Sequence, residues 1–106
     1  MEKSVIMKSV IMKVHKYSHS TIMALCDGEL LGKVFKRGEV DFKITEDFYG
    51  GDPVDPETIL RTIPLVESIN AVGQRCIGIL KEAGLLDDGE VVDIGGIPHV
   101  QIYSLG

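Results

Sequence analysis

Hydrophobic residues alternate with polar ones towards both ends of the chain and recur at helical spacing in between. From Met12 to Cys26 two apolar, β-branched runs, MKVHKY and TIMALC, are separated by Ser18, His19 and Ser20, which is a hairpin pattern. Asp27-Gly28, a strong short turn signal, then parts LC from ELLGKVF. A second turn, KRGE, precedes VDFKI, where Val40, Phe42 and Ile44 alternate with Asp41 and Lys43. A period of two predicts one buried and one wet face. Together these signals predict an antiparallel β-meander over residues 12–45. Asp55-Pro56-Glu57 then supplies an N-cap, a first-turn proline and an acid at the positive end of a helix. That helix is expected to stop near Thr62, because Pro64 cannot continue it. Val72, Cys76, Leu80 and Ala83 form a one-sided apolar stripe and predict a second helix from about Asn70 to Gly84. Gly84-Leu85 suits a left-handed C-cap. EVVDI and HVQIY read as two short closing strands. The whole is an α+β pattern: N-terminal antiparallel β-meander, two central helices, two C-terminal strands, with the helices on one sheet face.

With 106 residues the chain has room for one core. Residues 3–12 carry the pentapeptide KSVIM twice, a period that fits neither helix nor strand. Residues 1–11 therefore read as a duplicated N-terminal extension ahead of a single α+β domain over 12–106, and their removal is expected to leave that domain folded. Lys8 and Lys13 interrupt the apolar stretch, so it is too short for a membrane span and no membrane partner is expected. Cys26 and Cys76 have neither CxxC nor zinc spacing and read as buried thiols of a reduced, cytoplasmic protein.

The net charge of −5 is unevenly spread. Up to residue 44 there are eight Lys and Arg against five acids; beyond it, three against eleven. An acidic chain is a poor non-specific nucleic-acid binder, since that mode depends on neutralising phosphates. The basic hairpin carrying Lys33, Lys36, Arg37 and Lys43 still leaves room for local phosphate contacts.

Two stretches concentrate candidate chemistry. In GGIPHVQIY, Val100 and Ile102 point to one side of a strand while His99, Gln101 and Tyr103 point to the other. Gly95-Gly96 and Pro98 permit a sharp turn that would hold His99 rigidly at a sheet edge, although turn chemistry alone also accounts for them. In EDFYGGD, Phe48 and Tyr49 stand beside Gly50-Gly51, a combination suited to stacking on a base with backbone amides nearby. The competing reading is two rings capping a core edge. Neither glycine pair fits a P-loop or a dinucleotide fingerprint. His15 and His19 lie four apart in a strand-turn context, which is no zinc rule, so neither metal nor cofactor is expected. A Cys76 nucleophile activated by His99 is disfavoured, because Cys76 lies on the apolar stripe where burial raises a thiol pKa.

These stretches together resemble the archaeal family known as domain of unknown function 424. The resemblance runs from about Met12 to Leu105 and rests on KVHKY, CDGELLGKVF, FYGGD, NAVGQR, AGLL and GGIPHVQI, in that order and spacing. The residues matching its motifs are Cys26, Gly32, Phe48, Gly50, Gly51, Asn70, Gly73, Gly95, Gly96, Pro98, His99 and Gln101. The resemblance implies a small cytoplasmic archaeal protein with an α+β fold, among relatives some of which are labelled RNA-binding or translation-associated, and it carries over no activity. The doubled KSVIM segment lies outside the family pattern.

Three functional readings compete. The first is a non-enzymatic binding module for RNA or a translation component, using Phe48, Tyr49, Gly50 and Gly51 with Gly95, Gly96, His99 and Gln101, and drawing phosphate contacts from Lys33, Lys36 and Arg37. The second is a small-molecule enzyme with His99 as general acid or base, which requires the two glycine pairs to converge on one pocket. The third is a protein-interaction module that forms a homo-oligomer through an exposed strand edge.

Overall fold

A computed structural model describes residues 9–103. Most of the doubled segment, residues 1–8, lies outside them. Its last two residues, Val10 and Ile11, are buried and open the first strand, so the sheet begins inside the stretch read as an extension.

Six strands form the main sheet: β1 Val10–Lys16, β2 Thr21–Asp27, β5 Asp52–Val54, β6 Ser68–Val72, β7 Val92–Ile94 and β8 Ile97–Ile102. Their order across it is β5-β1-β2-β6-β8-β7. All pairings are antiparallel except β2 with β6, which run parallel, Ile22 opposite Ser68 and Cys26 opposite Val72. A second, two-stranded sheet is the hairpin of β3 Val34–Arg37 and β4 Val40–Lys43. The helices are short: α1 Glu46–Tyr49, α2 Pro56–Thr62 and α3 Gln74–Glu82. This mixture of sheets and helices is the expected α+β class.

The antiparallel N-terminal strands fall into two hairpins in different sheets rather than one meander. Asp27-Gly28 does not reverse the chain onto β2; Gly28–Leu30 forms a 3-10 turn that leads away from the sheet. β2 instead takes β6 as its second neighbour, which lets Met23, Ala24, Leu25 and Cys26 bury on both faces. The second helix begins at Gln74, not near Asn70, because Ser68–Val72 is strand β6. Val72 matches the helical stripe in spacing only: it packs with Ile11, Ala24, Cys26 and Tyr49 on one face of the sheet, whereas Cys76 and Leu80 pack on the other. The local capping signals hold. Asp55 accepts the Thr58 N–H at 2.8 Å, and Gly84, with φ 75°, ends the α3 segment as Leu85 N–H reaches the Leu80 carbonyl.

The sheet is covered on both faces. Helices α2 and α3 press Ile59, Ile63, Ile77 and Leu80 onto Met23, Leu25, Ile69, Val100 and Ile102. On the opposite face the β3–β4 hairpin and α1 bring Ile44, Tyr49, Phe35 and Phe42 over Ile11, Ala24, Cys26 and Val72. This second layer roofs the end of the sheet where β2 finishes. Towards the other end the cover thins: Phe48 of α1 still stacks on His15, while Tyr17 and Gln101 are exposed. Among the described residues no helix is long and apolar enough to cross a membrane.

Candidate functional site

Strand β8 turns Val100 and Ile102 into the helix-side core, which leaves His99 and Gln101 on the other face. The hairpin roof decides their different fates. Gln101 is exposed, but His99 is only 8% exposed and lies beneath Phe42, ring centroids 4.8 Å apart. The expected row of wet polar side chains therefore holds for Gln101 and Tyr103 and fails for His99, because the sheet has a second layer.

Asn70, at the centre of β6 and directly opposite Gln101, organises the site. Its Oδ1 accepts the Tyr49 hydroxyl at 2.6 Å and His99 Nε2 at 3.1 Å. An amide oxygen only accepts, so His99 carries its proton on Nε2 and presents Nδ1 as an acceptor. Burial lowers the His99 pKa from its ordinary 6.5, which keeps the ring neutral. Burial also pushes the Tyr49 phenol well above its usual range, so it stays a donor. With Oδ1 doubly committed, Asn70 has its amide nitrogen left for a ligand. Gln101, which is exposed, accepts one bond at its Oε1, from the Tyr103 hydroxyl at 2.5 Å.

These two amides lie in a cleft of about 200 Å³ lined by Phe48, Tyr103, Ile22, Ser68, Ile69, Asn70 and Gln101. Phe48 is held by its neighbours. Its ring stacks on His15 at 4.8 Å and 12° and meets Tyr49 edge-on at 4.8 Å and 86°. The His15 Nε2–H donates to the Phe48 carbonyl at 2.8 Å, and Lys13 Nζ donates to the Asp47 carbonyl. His15 in turn stacks on Tyr17 at 6.2 Å and 5°, and Tyr17 and Tyr103 are 57% and 69% exposed. The open half-sheet thus presents an aromatic surface, Tyr17–His15–Phe48, and a cleft lined by the side chains of Asn70 and Gln101.

The remaining candidates fall elsewhere. Arg37 and His99 line a different cleft, of about 330 Å³, with Val40, Phe42, Val92 and Ile94. Lys33, Lys36 and Lys43 belong to the hairpin layer, and Lys36 pairs with Asp41 at 3.3 Å. The two glycine pairs do not converge: one lies beside β1 and β5, the other in the β7–β8 turn near the far edge of the sheet. Each has a packing reason. A Cβ at Gly51 would stand 2.0 Å from the Met12 carbonyl oxygen, and one at Gly95 2.8 Å from that of Lys36. The convergence that the enzyme reading requires is absent from this geometry. Tyr49 and His99 are nonetheless joined, through Asn70. Asn70, Tyr17 and His15 are the members that sequence reasoning left without a role. Helical spacing starts the second helix near Asn70, and only the pairing with Gln101 across β6 and β8 brings out its position.

Comparison with curated proteins gives no match. The chain is similar to a solved structure, the crystal structure of an uncharacterized conserved protein from Methanopyrus kandleri, at 32% identity and a TM-score of 0.80, with 90% of each chain covered. Residues 15–105 match the family model described as "Protein of unknown function (DUF424)". Because that match takes in both clefts and nearly all of the sheet, the chain belongs to this family of proteins of unknown function.

Proposed function

We propose that the protein is a non-enzymatic binding module that captures a short stretch of single-stranded RNA on the open half of its sheet. The observation that carries this reading is the cleft lined by Phe48, Tyr103, Asn70 and Gln101, with the amide oxygens of Asn70 and Gln101 already accepting tyrosine hydroxyls. An unstacked base has two flat faces for the rings and an acceptor-bearing edge for the donors. The Tyr17–His15 stack continues the platform towards a second base. Lys13 is the β1 lysine that shares this face with His15, while Lys16 alternates to the helix side with Met12 and Val14, so few phosphates are neutralised and affinity is modest. A duplex, whose bases are already stacked, has nothing to offer the cleft.

Fluorescence anisotropy at low salt, with labelled single-stranded and duplex oligoribonucleotides, tests the reading. Single strands are expected to bind and duplexes not, with a shallow salt slope of about one or two phosphate contacts. Phe48→Ala and Tyr103→Ala are each expected to cost about 1–3 kcal/mol of binding, with the fold intact by circular dichroism. Equal binding of duplex, or variants that bind like the parent protein, would refute it.

A further inference from the structure

The cleft on the other side of Asn70 has a different chemistry. Its walls are the apolar side chains of Val40, Phe42, Val92 and Ile94, and only two polar groups, Arg37 and His99, line it. Its volume of about 330 Å³ lies at the low end of small-molecule sites, roughly 300–1,000 Å³. Among the described residues Arg37 has no ion-pair partner, although its neighbour Lys36 is paired with Asp41. The second polar group is defined as sharply. His99 Nε2–H is committed to Asn70, so the nitrogen remaining for a ligand is an unprotonated Nδ1 on a neutral ring. Val40, 66% exposed at the hairpin end, extends the apolar wall outwards.

We propose that this cleft is a second binding site, for a small carboxylic acid with an apolar or aromatic body and a hydroxyl group. The carboxylate pairs with Arg37, whose planar fork matches it in two hydrogen bonds. The body replaces water against the four apolar side chains, and the hydroxyl donates to His99 Nδ1. A phosphorylated or multiply charged ligand is poorly matched, because one cation faces apolar walls. The inference stands independently of RNA binding, which uses the opposite side of the Asn70 junction.

The test is titration of the ¹⁵N-labelled protein with 4-hydroxyphenylacetate, phenylacetate and the uncharged phenylacetamide, followed by backbone amide shifts. 4-Hydroxyphenylacetate is expected to shift the amides of Phe42, Val92, Ile94 and His99 in a saturable way at millimolar concentration. Phenylacetate should bind more weakly and the amide weakest. Arg37→Gln is expected to weaken the acid about tenfold and leave the amide unchanged. Val40→Glu, at an exposed position that tolerates substitution, should also repel the acid. Retained RNA affinity in both variants separates this site from the aromatic cleft. No saturable shifts, or acid and amide binding equally, or an Arg37→Gln variant that binds the acid undiminished, would overturn the proposal.

Discussion

Asp27 shows how one side chain can hold two distant parts of the chain together. It ends β2, is buried, and its carboxylate accepts the N–H groups of Arg75 and Cys76 at 3.0 Å each. These are unpaired donors of the first turn of α3, so Asp27 caps a helix that starts nearly fifty residues later. The residue in the cap position is Gly73, with φ 112°, and a Cβ there would lie 2.4 Å from the Asp27 carboxyl carbon. Glycine is thus required twice, for its backbone angle and for the space the carboxylate fills. Asp27→Ala is expected to cost about 2 kcal/mol or more by urea denaturation, since it strips the cap and leaves buried N–H groups unpaired. Gly73→Ala should cost at least as much. Equal midpoints for Asp27→Ala and the parent would show that the cap contributes nothing. The sequence offered no route to this pair, because Asp27-Gly28 has the composition of a hairpin turn and the capped helix is remote.

At the scale of elements, what could be read was what is local. Both hairpins, the α2 cap, the Gly84 terminus and the β7–β8 turn are written in contiguous residues, and they form where the signals lie. β5 and β6 could not be read that way. Their strand character comes from partners far along the chain, and Val72–Cys76–Leu80 imitates a continuous helix stripe across a strand-to-helix junction. The candidate site was readable by residue type and not by arrangement: Phe48, Tyr49, His99 and Gln101 stood out, but the hairpin roof that buries His99 and divides the clefts depends on tertiary packing. That roof has a pH signature. His99 is held neutral under Phe42, so the folded state resists protonation while the unfolded chain accepts a proton near pH 6.5. Stability is therefore complete above about pH 6.5 and declines as the pH falls towards the lowered folded value, below which the loss levels off. Denaturation midpoints between pH 7.5 and 5 should show this decline, and His99→Gln should flatten it. Asp55 and Asp88, whose pKa values are lowered from 3.8 by hydrogen bonds, act only at more acidic pH. An unchanged slope in His99→Gln would contradict the assignment.

The whole molecule is a six-stranded sheet with helices on one face and the hairpin layer over part of the other, and its two cysteines sit in the two different cores. Cys26 lies on β2 under the hairpin layer, and Cys76 lies on α3 facing the other side of the sheet. Burial pushes the Cys26 thiol up to about 12 and raises Cys76 well above its usual range. Neither is a thiolate near neutral pH, and neither reaches solvent without loss of a packed layer. Thiol labelling at pH 8 is expected to be negligible in the native state and to follow global unfolding when urea is added, both residues reacting together. Fast labelling of Cys26 alone would show that the hairpin layer lifts independently of the helices.

The parallel seam between β2 and β6 also orders assembly in time. Each hairpin closes between neighbouring residues, an event of microseconds, whereas the seam must bring Ile22 to Ser68 across the entire intervening roof and crossover. Until it zips, the β1–β2 ribbon carries greasy side chains on both sides and an open edge beside Met23 to Cys26. This seam and the β1–β5 pairing, both long-range, are expected to close after the hairpins, and the chain is expected to be most prone to self-association in the interval before them.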